Sequence, residues 1–393
     1  MAIASILLLL GLFPAFFLFV LQLILVIMLG DLLWRARHIT GENVRALLTW
    51  SNAAVWQFTI FFLINAYAFD LLPGSPPKLR TVALESWIGT FSSSLVLMLW
   101  LQIQNPSVLK NAILRWLPVG LMASFSIATY FYIFSYPGQR IQVFTPNPLI
   151  PPFWFLVFTL ISFCWFDQMS QAQKCIRLTL FVFAGIMIVY ASARFLMLAW
   201  LVAAVVLAIY VIFLSPRHLR SQQMRFLAVG GMLVVGGVLM TDFLAGGLMI
   251  ARFENLLEVR SDSARWQVEL PRLLIWPAAW SITQENWLLG IGQANERTAL
   301  AAQIGWDRWL RAHHAYLSYL ISGGVLALIS GLFFQAPILR LLHPTHLRAM
   351  MPAFIGLGVV ITLNAFTESV FQSVVAVQAY ILASLITLRA ANG

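Results

Sequence analysis

Runs of about 18 or more apolar residues recur from one end of the chain to the other, and they constrain its fold more than any other feature. In lipid every backbone N–H and C=O must be paired within the protein, so such runs can form only spanning helices or closed barrels. The runs are continuous and lack the in–out alternation of barrel strands, which leaves a helical bundle. Composition agrees, with 61% of residues hydrophobic and 10% charged, against about 25% charged in soluble domains. The expected fold is an all-α polytopic membrane protein.

Spans are expected at about 4–30, 46–70, 82–102, 113–135, 151–168, 176–193, 195–214, 226–250, 314–338, 349–366 and 368–388. The first contains Pro14 and fits either one tilted, kinked helix or a tight pair of short ones, so the bundle has 11 or 12 spans. Met1 to Gly30 has no basic residue before its apolar stretch and no cleavage region after it, and is expected to be a retained helix. No repeat or linker divides the chain, so residues 1–393 are expected to form a single integral membrane domain. The two cysteines, Cys164 and Cys175, do not make a disulfide framework.

A net charge of +10 would suggest nucleic acid in a soluble protein. Here it follows from the Lys and Arg enrichment of cytoplasmic loops, and no nucleic-acid partner is expected. One alternating set of loops carries most of the basic residues, among them Arg35, Arg45, Lys174, Arg217, Arg220 and Arg340. The opposite short loops carry only Lys78, Arg80, Arg140 and Arg194. The first set is therefore expected inside and the second outside.

The outer set includes one long polar interruption, residues 251–313, with seven Arg, seven carboxylates, and His313 and His314 at its end. It is expected to be an extracytoplasmic loop containing short helices. One covers about 253–270, with Glu254, Glu258 and Asp262 at helical spacing, and ends at Pro271. A second short apolar piece contains Pro277 and is too broken to span.

Three features at this face could carry chemistry. Arg194 lies between two spans, where an arginine either meets water or an anion or snorkels to the headgroups. Arg265 either serves an anionic substrate or pairs with Asp262 or Glu269 along its helix. His313 and His314 stand at a span entrance, where one imidazole could act as a general base near neutral pH. No zinc spacing accompanies them, and neither a metal nor another cofactor is expected. The chain has no phosphate-binding Gly-rich loop, no Asp-x-Asp pair and no serine-hydrolase elbow. Arginines and a histidine at the outer face suit an anionic leaving group and an alcohol nucleophile.

Several pieces resemble the O-antigen ligases and the related polymerases, a family of integral membrane glycosyltransferases. Arg140 with Thr145-Pro-Asn-Pro148 resembles an outer loop of the family, and Ser192-Ala-Arg194 resembles its Ser-Arg helix top. Arg265-Trp266, then Trp287-Leu-Leu-Gly290-Ile-Gly292, resembles its long-loop pattern, and Thr367-Glu368-Ser369 fits near the last span. The family signature is a His, then Asn, Ser or Gln, then nine residues and a Gly. Here His313 and His314 are followed by residues 315–323 and Gly324, with His314 standing where the amide or hydroxyl residue is expected.

The resemblance implies transfer of a glycan from undecaprenyl pyrophosphate to a lipid A–core sugar hydroxyl, without a metal, at the periplasmic face of the bacterial inner membrane. It implies His313 as the base and Arg194, Arg265 and Arg140 as pyrophosphate ligands, with His314 and Glu368 as secondary candidates. The partners implied are the lipid-linked donor, the lipid A–core acceptor and membrane lipids. Two alternatives stand beside this reading. A polymerase would use a second lipid-linked glycan as acceptor, and a transporter or flippase would move an anionic lipid-linked solute.

Overall fold

The structure, a computed structural model, describes residues 2–14, 16–70, 77–131, 149–191, 194–214, 272–293, 295–305, 312–366 and 374–392, with single helical positions at 236, 240 and 243. It is helical throughout, with no strand among the described residues. The expected span at 226–250 and the expected helix at 253–270 lie outside the described residues, apart from those single positions. The expected all-α polytopic class is what the structure has.

The first apolar run forms two helices, α1 (Ala2–Leu12) and α2 (Phe17–Trp34), on either side of Pro14. A proline in a helix interior removes one hydrogen bond and clashes with the preceding turn, which accounts for the break. α3 (Gly41–Arg45) is a short connector capped by Thr40. It leads to α4 (Trp50–Asp70), α5 (Pro77–Gln102) and α6 (Pro106–Tyr130). α6 starts earlier than the apolar run does, because Pro106 at its first position and the Asn105 side chain, accepting the Ser107 N–H at 2.9 Å, set its N-terminus. Lys110, ahead of the expected span at 113–135, is therefore helical, and it sits over the Trp165 ring at 5.5 Å.

α1 lies against α6 through two glycines. A Cβ on Gly120 would come within 2.1 Å of the Leu8 carbonyl, and one on Gly11 within 2.6 Å of the Leu117 carbonyl. This is the close backbone approach that small residues permit between helices in lipid. α7 (Ile150–Ser162) and α8 (Gln171–Tyr190) pack beside them, with Phe13 meeting Trp154 and Phe158 edge-on. The start of α8 is a capping box between Ser170 and Gln173. Arg177, buried inside α8, donates to the backbone carbonyls of Ser162, Gln173 and Leu114, so its charge is met by carbonyl oxygens, one of them at the C-terminal end of α7.

α9 (Arg194–Leu214) precedes two short helices, α10 (Arg272–Glu285) and α11 (Glu296–Ile304). α12 (Ala315–Gln335) follows, then α13 (Pro344–Phe354), a π segment (Ile355–Val360), α14 (Ile361–Ala365) and α15 (Val374–Ala391). Among the described residues, four helical stretches are long and apolar enough to cross a bilayer: Pro106–Tyr130, Gln171–Val189, Ala315–Leu342 and Pro344–Ala365.

The third of these is not straight, and here the structure departs from the expected span at 314–338. Gly323 and Gly324 leave helical geometry, at φ −145°, ψ 19° and φ 63°, ψ −158°. The Tyr316 hydroxyl donates to Gln335 Oε1 at 3.3 Å. In a straight helix those positions would lie roughly 28 Å apart at about 1.5 Å per residue. The chain therefore doubles back at the two glycines, and a Cβ on Gly331 would meet the Tyr319 ring at 2.4 Å. Residues 315–322 and 325–335 are two arms of a helical hairpin.

Candidate active site

The tip of that hairpin is held by the turn after α10. Breaking the helix frees carbonyls, and the 287–292 segment takes them up. The Ile291 N–H donates to the Ile321 carbonyl at 2.7 Å and the Gly292 N–H to the Ser322 carbonyl at 2.9 Å. In return the Val325 N–H donates to the Trp287 carbonyl at 2.8 Å. Gly290 and Gly324, both at positive φ, make this approach possible. A Cβ on Gly290 would lie 2.4 Å from the Gly323 nitrogen, and one on Gly324 would lie 2.2 Å from the Leu288 carbonyl. Trp287-Leu-Leu-Gly290-Ile-Gly292 and the glycine that follows the histidines are thus halves of one interlock.

At the other end of the 315–322 arm stand the histidines. His313 has φ 48°, a left-handed conformation that is uncommon for a residue with a side chain. Its neighbour Ala312 is fully buried and gripped from both sides. The Ala312 N–H donates to Glu296 Oε1 at 3.3 Å, and its carbonyl accepts the Trp276 indole N–H at 2.9 Å. His314 is the N-cap of α12, its Nδ1 accepting the Leu317 N–H at 3.2 Å. Its ring is enclosed edge-on by Trp276 at 5.5 Å, Tyr316 at 5.9 Å and Phe366 at 5.3 Å. Strained backbone of this kind persists only where its surroundings over-determine it, and it collects at functional sites.

Glu296 opens α11 and is 2% exposed. Besides the Ala312 N–H, its Oε1 accepts the Ser318 hydroxyl at 2.9 Å. One carboxylate therefore joins α11, the histidine turn and the first turn of α12. Burial raises its pKa above the ordinary carboxylate value, opposed by those two hydrogen bonds and by the charges of Arg297 and His313. Burial lowers that of His314, opposed by a backbone hydrogen bond. Beneath the turn, Ile275, Ala279 and Ile282 of α10, Leu300 of α11, and Ala312 and Ile321 form an apolar core of their own.

Of the expected site residues, His313 and His314 lie in this turn. Arg194 is the first residue of α9, and its neighbour Phe195 carries the Arg272 guanidinium over its ring at 5.1 Å, so the starts of α9 and α10 meet. Arg140, Arg265 and Glu368 lie outside the described residues. Glu368 follows two positions after Phe366, whose ring touches His314. Glu296, Trp276 and Ser318 are not apparent from sequence, because partners 16, 22 and 36 positions apart leave no periodic signal. The Gly323-Gly324 pair in an apolar run was the available sign of a break.

No curated protein matches the chain. The family model described as O-antigen ligase matches residues 179–332, beginning within α8 and ending within α12. The matched stretch contains Arg194, the interlocked glycines and both histidines, and leaves Arg140 and Glu368 outside. Over that stretch the chain is similar to the O-antigen ligases, a family of membrane glycosyltransferase-like ligases and polymerases.

Proposed function

We propose that this chain transfers a glycan from undecaprenyl pyrophosphate to a sugar hydroxyl of lipid A–core at the periplasmic face of the inner membrane, without a metal. His313 is the general base, Arg194 and Arg265 hold the pyrophosphate, and Arg140 assists them. His313 takes the acceptor hydroxyl proton as that oxygen attacks the anomeric carbon. The bond from that carbon to the pyrophosphate oxygen breaks, and the pyrophosphate leaves with the electron pair. A single displacement of this kind inverts the anomeric configuration.

A positioned base contributes about 10²–10⁴-fold. Guanidinium forks match phosphate oxygens with two parallel hydrogen bonds, and stabilising the departing charge is often the largest catalytic effect. The polyprenyl tail of the donor requires a site beside lipid, which a polytopic bundle supplies.

The observation that carries the reading is the gripped histidine turn, in which Ala312 is held on both sides and His313 is left-handed. The two histidines divide the work. With Nδ1 of His314 accepting an N–H, its neutral ring carries the proton on Nε2 and has no nitrogen left to act as a base. The family signature places Asn, Ser or Gln at that position. All three can accept a backbone N–H as an N-cap does, and His314 accepts one through nitrogen. The departure from the signature keeps the cap, and the engaged Nδ1 of His314 supports reading His313 as the base.

Product analysis with purified protein tests this. Undecaprenyl-pyrophosphate glycan is supplied with and without lipid A–core. Glycan joined to lipid A–core, only when that acceptor is present, is the expected result. Longer lipid-linked chains made without it would identify a polymerase, and movement without any covalent product would identify a transporter.

A further inference from the structure

The end of the Pro344–Ala365 span away from His313 and His314 holds a polar cavity of about 200 Å³. It lies where α4 begins, α5 and α15 end, and α12 passes into α13. Arg340, Arg389 and His346 line it, with the hydroxyls of Thr49 and Ser51. Among the described residues, no carboxylate lines it. Asp31, linked to Gln104 nearby, is paired with Arg35 at 3.0 Å.

Both guanidiniums are fixed by the protein, and among the described residues neither is neutralised. Arg340 lies over the Trp50 ring at 4.8 Å and gives one N–H to Ser51 Oγ at 3.2 Å. Arg389 gives Nη2 to the carbonyls of Gln102 and Gln104 at 3.3 and 3.1 Å, and its buried Nε has no hydrogen-bond partner. A guanidinium has five N–H donors, so each keeps several for a ligand. Neither has a carboxylate partner among the described residues. Two arginines brought together without an acid repel one another unless an anion joins them.

We propose that this cavity binds a phosphate group, supplied by the headgroup of an anionic phospholipid. Phosphate is the anion whose oxygens match two guanidinium forks. The volume is below the roughly 300–1,000 Å³ of sites for drug-sized ligands, and it suits a headgroup. Leu101, Leu385 and Leu388 on the wall offer an apolar surface to the first part of an acyl chain. Basic pockets between spanning helices are the usual seat of anionic headgroups. The site is independent of the transfer chemistry.

The test is native mass spectrometry of the purified chain in detergent, titrated with phosphatidylglycerol, with zwitterionic phosphatidylcholine, or with inorganic phosphate. Phosphatidylglycerol is expected to bind in preference to phosphatidylcholine, and Arg340→Gln to weaken it about fivefold. His346→Gln is a second variant that leaves the Arg340 and Arg389 contacts in place. Inorganic phosphate binding alone, and lost in Arg340→Gln, would keep the phosphate site and make its source soluble. Equal retention of the two lipids by the wild type, or unchanged binding in both folded variants, would overturn the proposal.

Discussion

Glu296 and Ser318 are 22 positions apart and joined by a 2.9 Å hydrogen bond, and the same carboxylate oxygen receives the Ala312 N–H. Removing the carboxylate leaves two buried donors without that acceptor, at about 1–3 kcal/mol each. Glu296→Ala is expected to lower the unfolding temperature of the detergent-solubilised protein and abolish transfer. Glu296→Gln keeps an acceptor oxygen and should retain the fold. Equal melting of wild type and Glu296→Ala would deny the carboxylate its structural role.

The glycine interlock predicts a graded result. Gly324→Ala and Gly290→Ala place a methyl group within 2.2–2.4 Å of backbone atoms at positive φ. Gly305→Ala also meets positive φ, but in open space. Left-handed strain alone costs roughly 1–2 kcal/mol, so Gly305→Ala should be mildly destabilised. The two interlock variants should be destabilised well beyond it. Thermal unfolding of the three side by side decides, and equal losses would mean the contact is not tight.

Transfer should survive His314→Asn, because asparagine is a strong N-cap, while His314→Ala loses about 1 kcal/mol of stability. If His314→Asn folds normally and is inactive, the base belongs at position 314.

The same histidine gives a pH dependence. Its folded pKa is lowered by burial, so the unfolded chain binds the proton more readily. The stability linked to it is complete above the ordinary histidine value of about 6.5 and falls as the pH drops from there toward the folded value. Unfolding temperature measured from pH 8 to 5 should therefore fall more steeply at the acid end for wild type than for His314→Asn. Parallel curves would remove His314 as the cause.

Arg194→Lys and Arg265→Lys should each lose most transfer activity with the fold intact, since an ammonium cannot reproduce a fork on pyrophosphate. Initial rates at saturating acceptor measure this. Wild-type rates in both would leave the pyrophosphate clamp without support.

The all-helical membrane class was legible because hydrophobic length is a local property, while Pro14 left a kinked helix and a pair of short ones both open, of which the structure has the pair. The spacing along the chain singled out His313 and His314, but not the left-handed turn that holds them. The hairpin in α12 was not legible, because an apolar run reads alike whether it crosses the bilayer or turns back within the protein, and the turn at 287–292 that binds its tip lies about 30 positions away in sequence. Glu296 was invisible as a site residue for a related reason. Its sequence neighbourhood is an ordinary helix start, and its importance lies in what folds over it.

The left-handed backbone at position 313 bears on how a base is recognised. Alanine there would remove the imidazole and at the same time penalise the conformation that presents it, so a dead variant would confound chemistry with geometry. Asparagine tolerates that conformation several-fold better than most residues and has no group that takes up a proton near neutral pH. His313→Asn is thus the substitution that takes away the proton acceptor while leaving the turn its shape.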